Sequence, residues 1–278
     1  MIFNADDPAS AEPAIDFAMM PYEPPMPASR GALSSAAVLA ASTDGAVAGS
    51  EMRAVAVAVR AAFGYGRTIW SAALTAEGLG WELYWYKKRK CSVVSANDLR
   101  IALGGLMEFD LPDDLPSHPD VFSIDLGPDQ LSGRRAVDHL NIYSANPAST
   151  VQSGACHRFD SSGATLTAIY HRFPADCHQA ALQQSDAAIH LRGREFRADL
   201  LPCTSIHVAS KARRDAVYYG GITADQLVDF LTHSPFESRF ASAVETRAKH
   251  LGHLQFDVGT DFELHQVEPV KLAVYGVL

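Results

Sequence analysis

Short aromatic strands that return in hairpin order constrain this chain more than any other feature. The segment SKARRDAVYYGGITADQLVDFL, residues 210–231, reads as a strand end carrying a lysine, a tight turn, a strand ending Tyr218–Tyr219, then a helix. Similar strands recur from Trp81 to the last residue. WELYWYKK (81–88), VFSIDL (121–126) and VDHLNIYS (137–144) are rich in β-branched and aromatic residues, which fit a pleated, half-buried surface. CHRFDSSGATLTAIYHRF (156–173) predicts a hairpin turning at residues 161–163. CTSIHVAS (203–210) and DAVYYG (215–220) flank the turn KARR and predict a second hairpin. HLQFDVG (253–259), FELHQV (262–267) and VKLAVYGVL (270–278) close the chain as strands.

Helices fall between these hairpins. Two are expected in the Ala- and Val-rich stretch, over 33–41 and 50–62. A capped helix follows at 95–105, with Ser95 or Asn97 as cap. Others are expected over 176–191, 223–231 and 236–251. The tally is nine or ten strands in a roughly ββα order, and hairpins imply antiparallel pairing. No βαβ alternation with a glycine-rich turn appears, which argues against a dinucleotide-binding fold. DAVYYG and LAVYGV suggest an internal repeat. A repeated antiparallel layout can close into a barrel ringed by helices, and closure removes exposed edges. The expected fold class is α+β, an antiparallel barrel of about ten strands surrounded by helices. Residues 1–31, containing PYEPPMP, read as an extended Pro-rich arm, and 32–278 as a single barrel domain.

Composition narrows the function. The chain has 278 residues, 47% hydrophobic and 20% charged, as expected for a sizeable core. Its 23 basic and 32 acidic residues give −9, which argues against a nucleic-acid partner, since phosphate contacts need a basic face. No apolar run reaches membrane-spanning length. The start MIFNADDPAS lacks a basic and apolar secretory signal, so the expected location is cytoplasmic, with no membrane partner. Cys91, Cys156, Cys177 and Cys203 form no CxxC pair. His157, His171, His178 and His190 near Cys156 and Cys177 follow no zinc-ligand spacing, so no metal site is expected. KKRK, residues 87–90, reads as a solvated strand end.

The chain resembles the cyanobactin-type ribosomal-peptide prenyltransferases of the ABBA, or prenyltransferase-barrel, class. The residues carrying the resemblance are the Ser-Lys, turn, Tyr-Tyr, helix segment, then FSIDL followed by VDHLNIY, the aromatic strand WELYWY and the last strand KLAVYG. Their order and spacing agree from about Trp81 to the end. The resemblance implies a barrel whose core binds an isoprenyl diphosphate (dimethylallyl or geranyl) and transfers its isoprenyl group to a peptide side chain or an aromatic small-molecule acceptor. It also implies Mg²⁺ bound through the diphosphate. The chemistry is coherent. Ionising an allylic diphosphate makes a cation and an anionic leaving group. Lysines and arginines stabilise the oxygens, aromatic faces stabilise the cation, and a carboxylate takes the acceptor's proton.

The resemblance assigns Lys211 to the diphosphate. Tyr143, Tyr170, Tyr275 and Tyr218 or Tyr219 become cation-shielding candidates; only one of an adjacent pair can face inward. Where the family has basic residues on the strand matching VDHLNIY, this chain offers His139, Asn141 or Tyr143. Where it has an arginine on the aromatic strand, this chain offers Trp81 or Glu82. Glu77 lies nearest the family's glutamate base, with Glu82 the other candidate. Arg67, Arg158, Arg172 and Lys271 are available to supply positive charge from other positions. The alternative is a non-catalytic or cyclase-type barrel of the same fold, binding an apolar or peptidic ligand.

Overall fold

The computed structural model describes residues 28–86, 94–113, 115–116, 119–145, 152–174, 197–236 and 238–278, with the backbone alone at 145, 152, 153 and 172–174. The arm over 1–27, KKRK, Cys91, Cys177, and the helix expected over 176–191 lie outside the described residues.

Ten antiparallel strands close on themselves: β1 (Thr68–Thr75), β2 (Gly78–Tyr86), β3 (Val121–Leu126), β4 (Leu140–Ala145), β5 (Gln152–Asp160), β6 (Gly163–Pro174), β7 (Ser205–Lys211), β8 (Arg214–Thr223), β9 (Gln255–Glu263) and β10 (Pro269–Val277). Each strand pairs with its neighbours in sequence, and β1 pairs with β10 to complete the circle. Helices cover the outside: α1 (Ala36–Ser42), α2 (Gly49–Phe63), α3 (Ala96–Leu103), α4 (Pro128–Leu131), α5 (Ala224–Thr232), α6 (Arg239–Glu245) and α7 (Ala248–Leu251). This is the expected barrel, ringed by seven helices among the described residues.

Two expectations change in detail. FELHQV is not a separate strand: Phe262 and Glu263 finish β9, and residues 264–268 form the turn into β10. The tenth strand is instead β1, TIWSAALT, which the sequence reading passed over. The stretch expected as one helix over 236–251 is broken into α6 and α7. The hairpin turn after β5 falls where expected, with Asp160 Oδ1 accepting from the Ser162 N–H at 2.9 Å and Gly163 supplying a positive φ of 101°. Ser95 is the cap of α3: its hydroxyl accepts from the Asp98 N–H, and Asp98 reaches back to the Ser95 N–H.

Strand alternation gives the wall two different faces. Outward, Trp70, Trp81, Leu83, Trp85, Phe122, Ile124, Phe256 and Val258 pack under the helices in one buried apolar layer. Trp85 stacks on Phe122 at 5.2 Å and meets Phe63 of α2 edge-on at 6.0 Å. Trp81 donates its indole N–H to Ser42 Oγ at 2.9 Å, tying α1 to the wall. Ser35 secures the other end of α1 to β10, donating to the Val277 carbonyl at 2.6 Å and accepting from its N–H at 2.7 Å. The inward face is built differently, and the two ends of the barrel differ as well. Tight turns join β1–β2, β5–β6, β7–β8 and β9–β10 at one end, where the β3–β4 connection with α4 also lies, and the connection carrying α5, α6 and α7 occupies the other.

Candidate active site

Five tyrosines form a closed ring inside the barrel, one from each even-numbered strand: Tyr84 (β2), Tyr143 (β4), Tyr170 (β6), Tyr218 (β8) and Tyr275 (β10). Successive ring centroids stand 5.9, 6.0, 6.3, 6.2 and 6.0 Å apart, returning from Tyr275 to Tyr84. These separations suit tilted and edge-on aromatic contacts. The odd strands leave room between them with small residues: Ser71 opposes Tyr275, Ser123 opposes Tyr84, Cys156 opposes Tyr143, Ala209 opposes Tyr170 and Gly259 opposes Tyr218. Gly259 is the tightest of these. A Cβ there would lie 2.5 Å from Tyr218 Cδ1, so only glycine lets the Tyr218 ring lie on the backbone of β9. Tyr219, next to Tyr218, points outward, and its hydroxyl accepts from the Arg197 N–H at 2.9 Å.

The ring borders a cavity of about 390 Å³, within the roughly 300–1,000 Å³ usual for small-molecule sites. A layer of charge lies between the ring and the hairpin end. Lys211, the last residue of β7, donates to Asp261 Oδ2 of β9 at 2.6 Å, and its ammonium stands 5.8 Å from the Tyr218 ring centroid. Lys271 of β10 donates to Glu82 Oε1 of β2 at 2.6 Å, and the Tyr84 hydroxyl donates to the other Glu82 oxygen. Asp125 of β3 stands directly across the ladder from Glu82 and also lines the cavity. Both of its oxygens accept from Asn141 Nδ2, at 3.2 and 3.1 Å, and Oδ2 is 3.1 Å from His139 Nε2. His139 Nδ1 is 2.7 Å from Asp138 Oδ1, which places the imidazole between two carboxylates.

The electrostatics follow from enclosure and pairing. Desolvation alone would depress the Lys211 ammonium, but the Asp261 carboxylate beside it raises it above the ordinary lysine value. Lys271 is raised in the same way by Glu82 and then Asp261. Burial would raise the Asp261 carboxyl, and the two lysines reverse that and hold it low. Burial drives all five ring tyrosines well above the usual phenol value, so they stay neutral. A neutral phenol keeps an electron-rich face and presents no charged oxygen to the cavity.

Of the residues singled out from sequence, the structure brings Glu82, Lys211, Tyr143, Tyr170, Tyr218 and Tyr275 to this one cavity. His139 stands at its edge, behind Asp125. Glu77 sits in the exposed turn between β1 and β2, and Arg67 is exposed just before β1; neither lines the cavity. Arg172 pairs with His207 in the β6–β7 ladder, and its side chain is outside the described residues. The sequence reading did not single out Tyr84, Asp125, Asp138 or Asp261, and Lys271 entered only as spare charge. Strand parity was the available signal. Asp261 stands opposite Ala216 on the β8–β9 ladder, and Lys211 follows Ser210, the partner of Asp215 on the β7–β8 ladder, but that register appears only once the strands are paired.

No protein-family model matches this chain, and no curated protein matches it. Among solved structures, the chain is distantly similar to NotF prenyltransferase: 13% identity over 76% of this chain and 80% of that chain, with a TM-score of 0.43. No helix among the described residues is long and apolar enough to cross a membrane.

Proposed function

We propose that this chain is a prenyltransferase, moving a dimethylallyl or geranyl group from its diphosphate to a side chain of a ribosomal peptide or to an aromatic acceptor. The observation that carries this reading is the closed ring of five neutral tyrosines bordering a cavity that two lysines share. Breaking the C1–O bond of the donor leaves an allylic cation and sends the electron pair to the diphosphate. The tyrosine faces would stabilise that cation and keep water from it. Each lysine ammonium has three donors, so Lys211 and Lys271 can each keep a carboxylate partner and still donate to a diphosphate oxygen. Among the described residues no group of three His, Cys, Asp or Glu side chains is arranged to hold a metal ion. Mg²⁺ bound through the diphosphate oxygens would neutralise the leaving group's charge.

A second reading, a non-catalytic or cyclase-type barrel binding an apolar or peptidic ligand, is favoured by one observation. Both lysines are already neutralised by Asp261 and Glu82, and Asp125 adds a further carboxylate to the wall. A transfer assay separates the two. The protein is incubated with dimethylallyl or geranyl diphosphate, Mg²⁺ and a panel of aromatic and peptide acceptors, and products are read by mass. The transferase reading expects an isoprenyl mass gain that is lost in Lys211→Ala while the circular dichroism spectrum is kept. Unchanged turnover in Lys211→Ala would remove that lysine from the chemistry, and no product with any acceptor favours the second reading.

A further inference from the structure

Resting on the transferase reading, we propose that Asp125, clamped from behind by the His139–Asp138 pair, is the base that takes the proton from the alkylated acceptor. Two carboxylates stand side by side on the inner wall, Glu82 on β2 and Asp125 on β3, and they are differently committed. Glu82 has 13% of its side chain exposed and both oxygens engaged, one by the Lys271 ammonium and one by the Tyr84 hydroxyl. Asp125 also has both oxygens hydrogen-bonded, to Asn141 and His139, but 46% of its side chain is exposed while lining the cavity, so lone pairs remain open to a ligand.

Asp125 is also held in place. Asn141 Nδ2 bonds both oxygens, and His139 Nε2 lies 3.1 Å from Oδ2. His139 is fixed in turn by Asp138 at 2.7 Å, and Asp138 accepts from Arg135 at 2.6 Å on the rim. The His139 ring is 11% exposed, and its two nitrogens are taken by these two carboxylates. This is the arrangement of a carboxylate oriented by a histidine that a second carboxylate positions. His139 and Asp138 are positioning residues; Asp125 is the group that would touch the substrate.

The step balances without a co-reactant. The acceptor's electron pair forms the new bond to C1 of the allylic cation as the C1–O bond gives its pair to diphosphate. The acceptor is then an arenium or oxonium ion, and its proton passes to an Asp125 oxygen, restoring a neutral product. Such ions are strong acids. A carboxylate that His139, Lys271 and Asn141 hold below its usual range against desolvation is still basic enough for them. The same argument selects the acceptor: an aromatic carbon or a hydroxyl oxygen, whose alkylated form gives up its proton to a carboxylate, rather than a basic amine.

The test is a pH profile of kcat for the full chain with geranyl diphosphate and whichever acceptor the wild type alkylates. Asp125→Asn should lower kcat by about 10²–10⁴-fold, the usual size of a lost general base. The thermal shift it shows with geranyl diphosphate alone should be unchanged. His139→Gln should lower kcat less than Asp125→Asn does and should move the acid limb of the profile upward. It removes a positive partner from Asp125, whose other facing groups are Asn141 on β4, Lys271 on β10, Glu82 on β2 and Cys156 on β5; Arg158 on β5 acts on His139 itself. If Asp125→Asn does not fold, the limb of His139→Gln decides. Wild-type kcat in Asp125→Asn, or an unmoved acid limb in His139→Gln, overturns the proposal and leaves the transferase reading standing. Absence of transfer by the wild type overturns the reading and the base with it.

Discussion

The two faces of the same ten strands use aromatic residues for opposite ends. On β2 the outward residues are Trp81, Leu83 and Trp85, sealed under helices, and the inward ones are Glu82, Tyr84 and Tyr86, which border a cavity. Outside, indole rings fill space to a dry core, and the Trp81 indole hydrogen bond to Ser42 serves to pin a helix. Inside, tyrosines leave space, arranged edge to edge around an opening and flanked by paired charges. Burying ion pairs adds little stability compared with apolar side chains of similar volume. The inner face therefore reads as a surface kept for a ligand, and the outer face as the part that holds the fold.

A glycine makes the comparison unusually direct. On each face one aromatic ring lies on the backbone of the neighbouring strand: Trp70 on Gly276 outside, Tyr218 on Gly259 inside. An added Cβ would come within 2.4 Å of Trp70 and 2.5 Å of Tyr218.

The largest expected effect is on the outer face. Trp85→Ala removes a fully enclosed indole and its contacts with Phe122 and Phe63. It should lower stability by about 3–5 kcal/mol in urea unfolding, and what remains folded should keep its turnover per molecule. The glycine pair comes next. Gly276→Ala and Gly259→Ala should each cost about 1–3 kcal/mol by overpacking. Only Gly259→Ala should also lose transfer, because it displaces a member of the ring. Equal loss of turnover from both would erase the distinction between the faces.

The smallest effect is on pH dependence at the edge of the chamber. The His139 bond, and then Arg135, hold Asp138 down at about 2. A depressed carboxyl contributes stability above its unfolded value of about 3.9, lost as pH falls through the folded one. His139 is raised: desolvation lowers it, but Asp125 and Asp138 outweigh that. A raised histidine contributes fully below its unfolded value of about 6.5, and the contribution is lost as pH rises through the folded one. The cluster should thus stabilise most between about pH 4 and 6.5. Thermal midpoints across pH should show a hump there in the wild type that flattens in His139→Gln.

Much of this architecture could be read from the residues, and the exceptions have physical causes. The β7–β8 hairpin and the turn at residues 161–163 follow from turn chemistry, and alternation dictates that only one of Tyr218 and Tyr219 faces inward; which one it is depends on register. β1 was passed over because its inward positions, Ser71 and Ala73, are small, and small residues weaken a strand's signature. They are small because the ring needs the space. Tyr84 was hidden because β2 is aromatic on both faces, so no polar alternation separates inside from outside. Asp125, Asp138 and His139 meet across a ladder between β3 and the approach to β4, and Lys211 meets Asp261 fifty residues on. Such pairings belong to register, which local sequence does not display.

The central claim is that the inner face holds an allylic diphosphate. Thermal-shift titration with dimethylallyl, geranyl and farnesyl diphosphates in the presence of Mg²⁺ tests it without any knowledge of the acceptor. Ligand at about 100 times its Kd should add about 2.7 kcal/mol of stability. The expected result is a concentration-dependent rise in Tm for the wild type with at least one donor, and a lost rise in Lys211→Ala. No shift with any of the three would contradict the account.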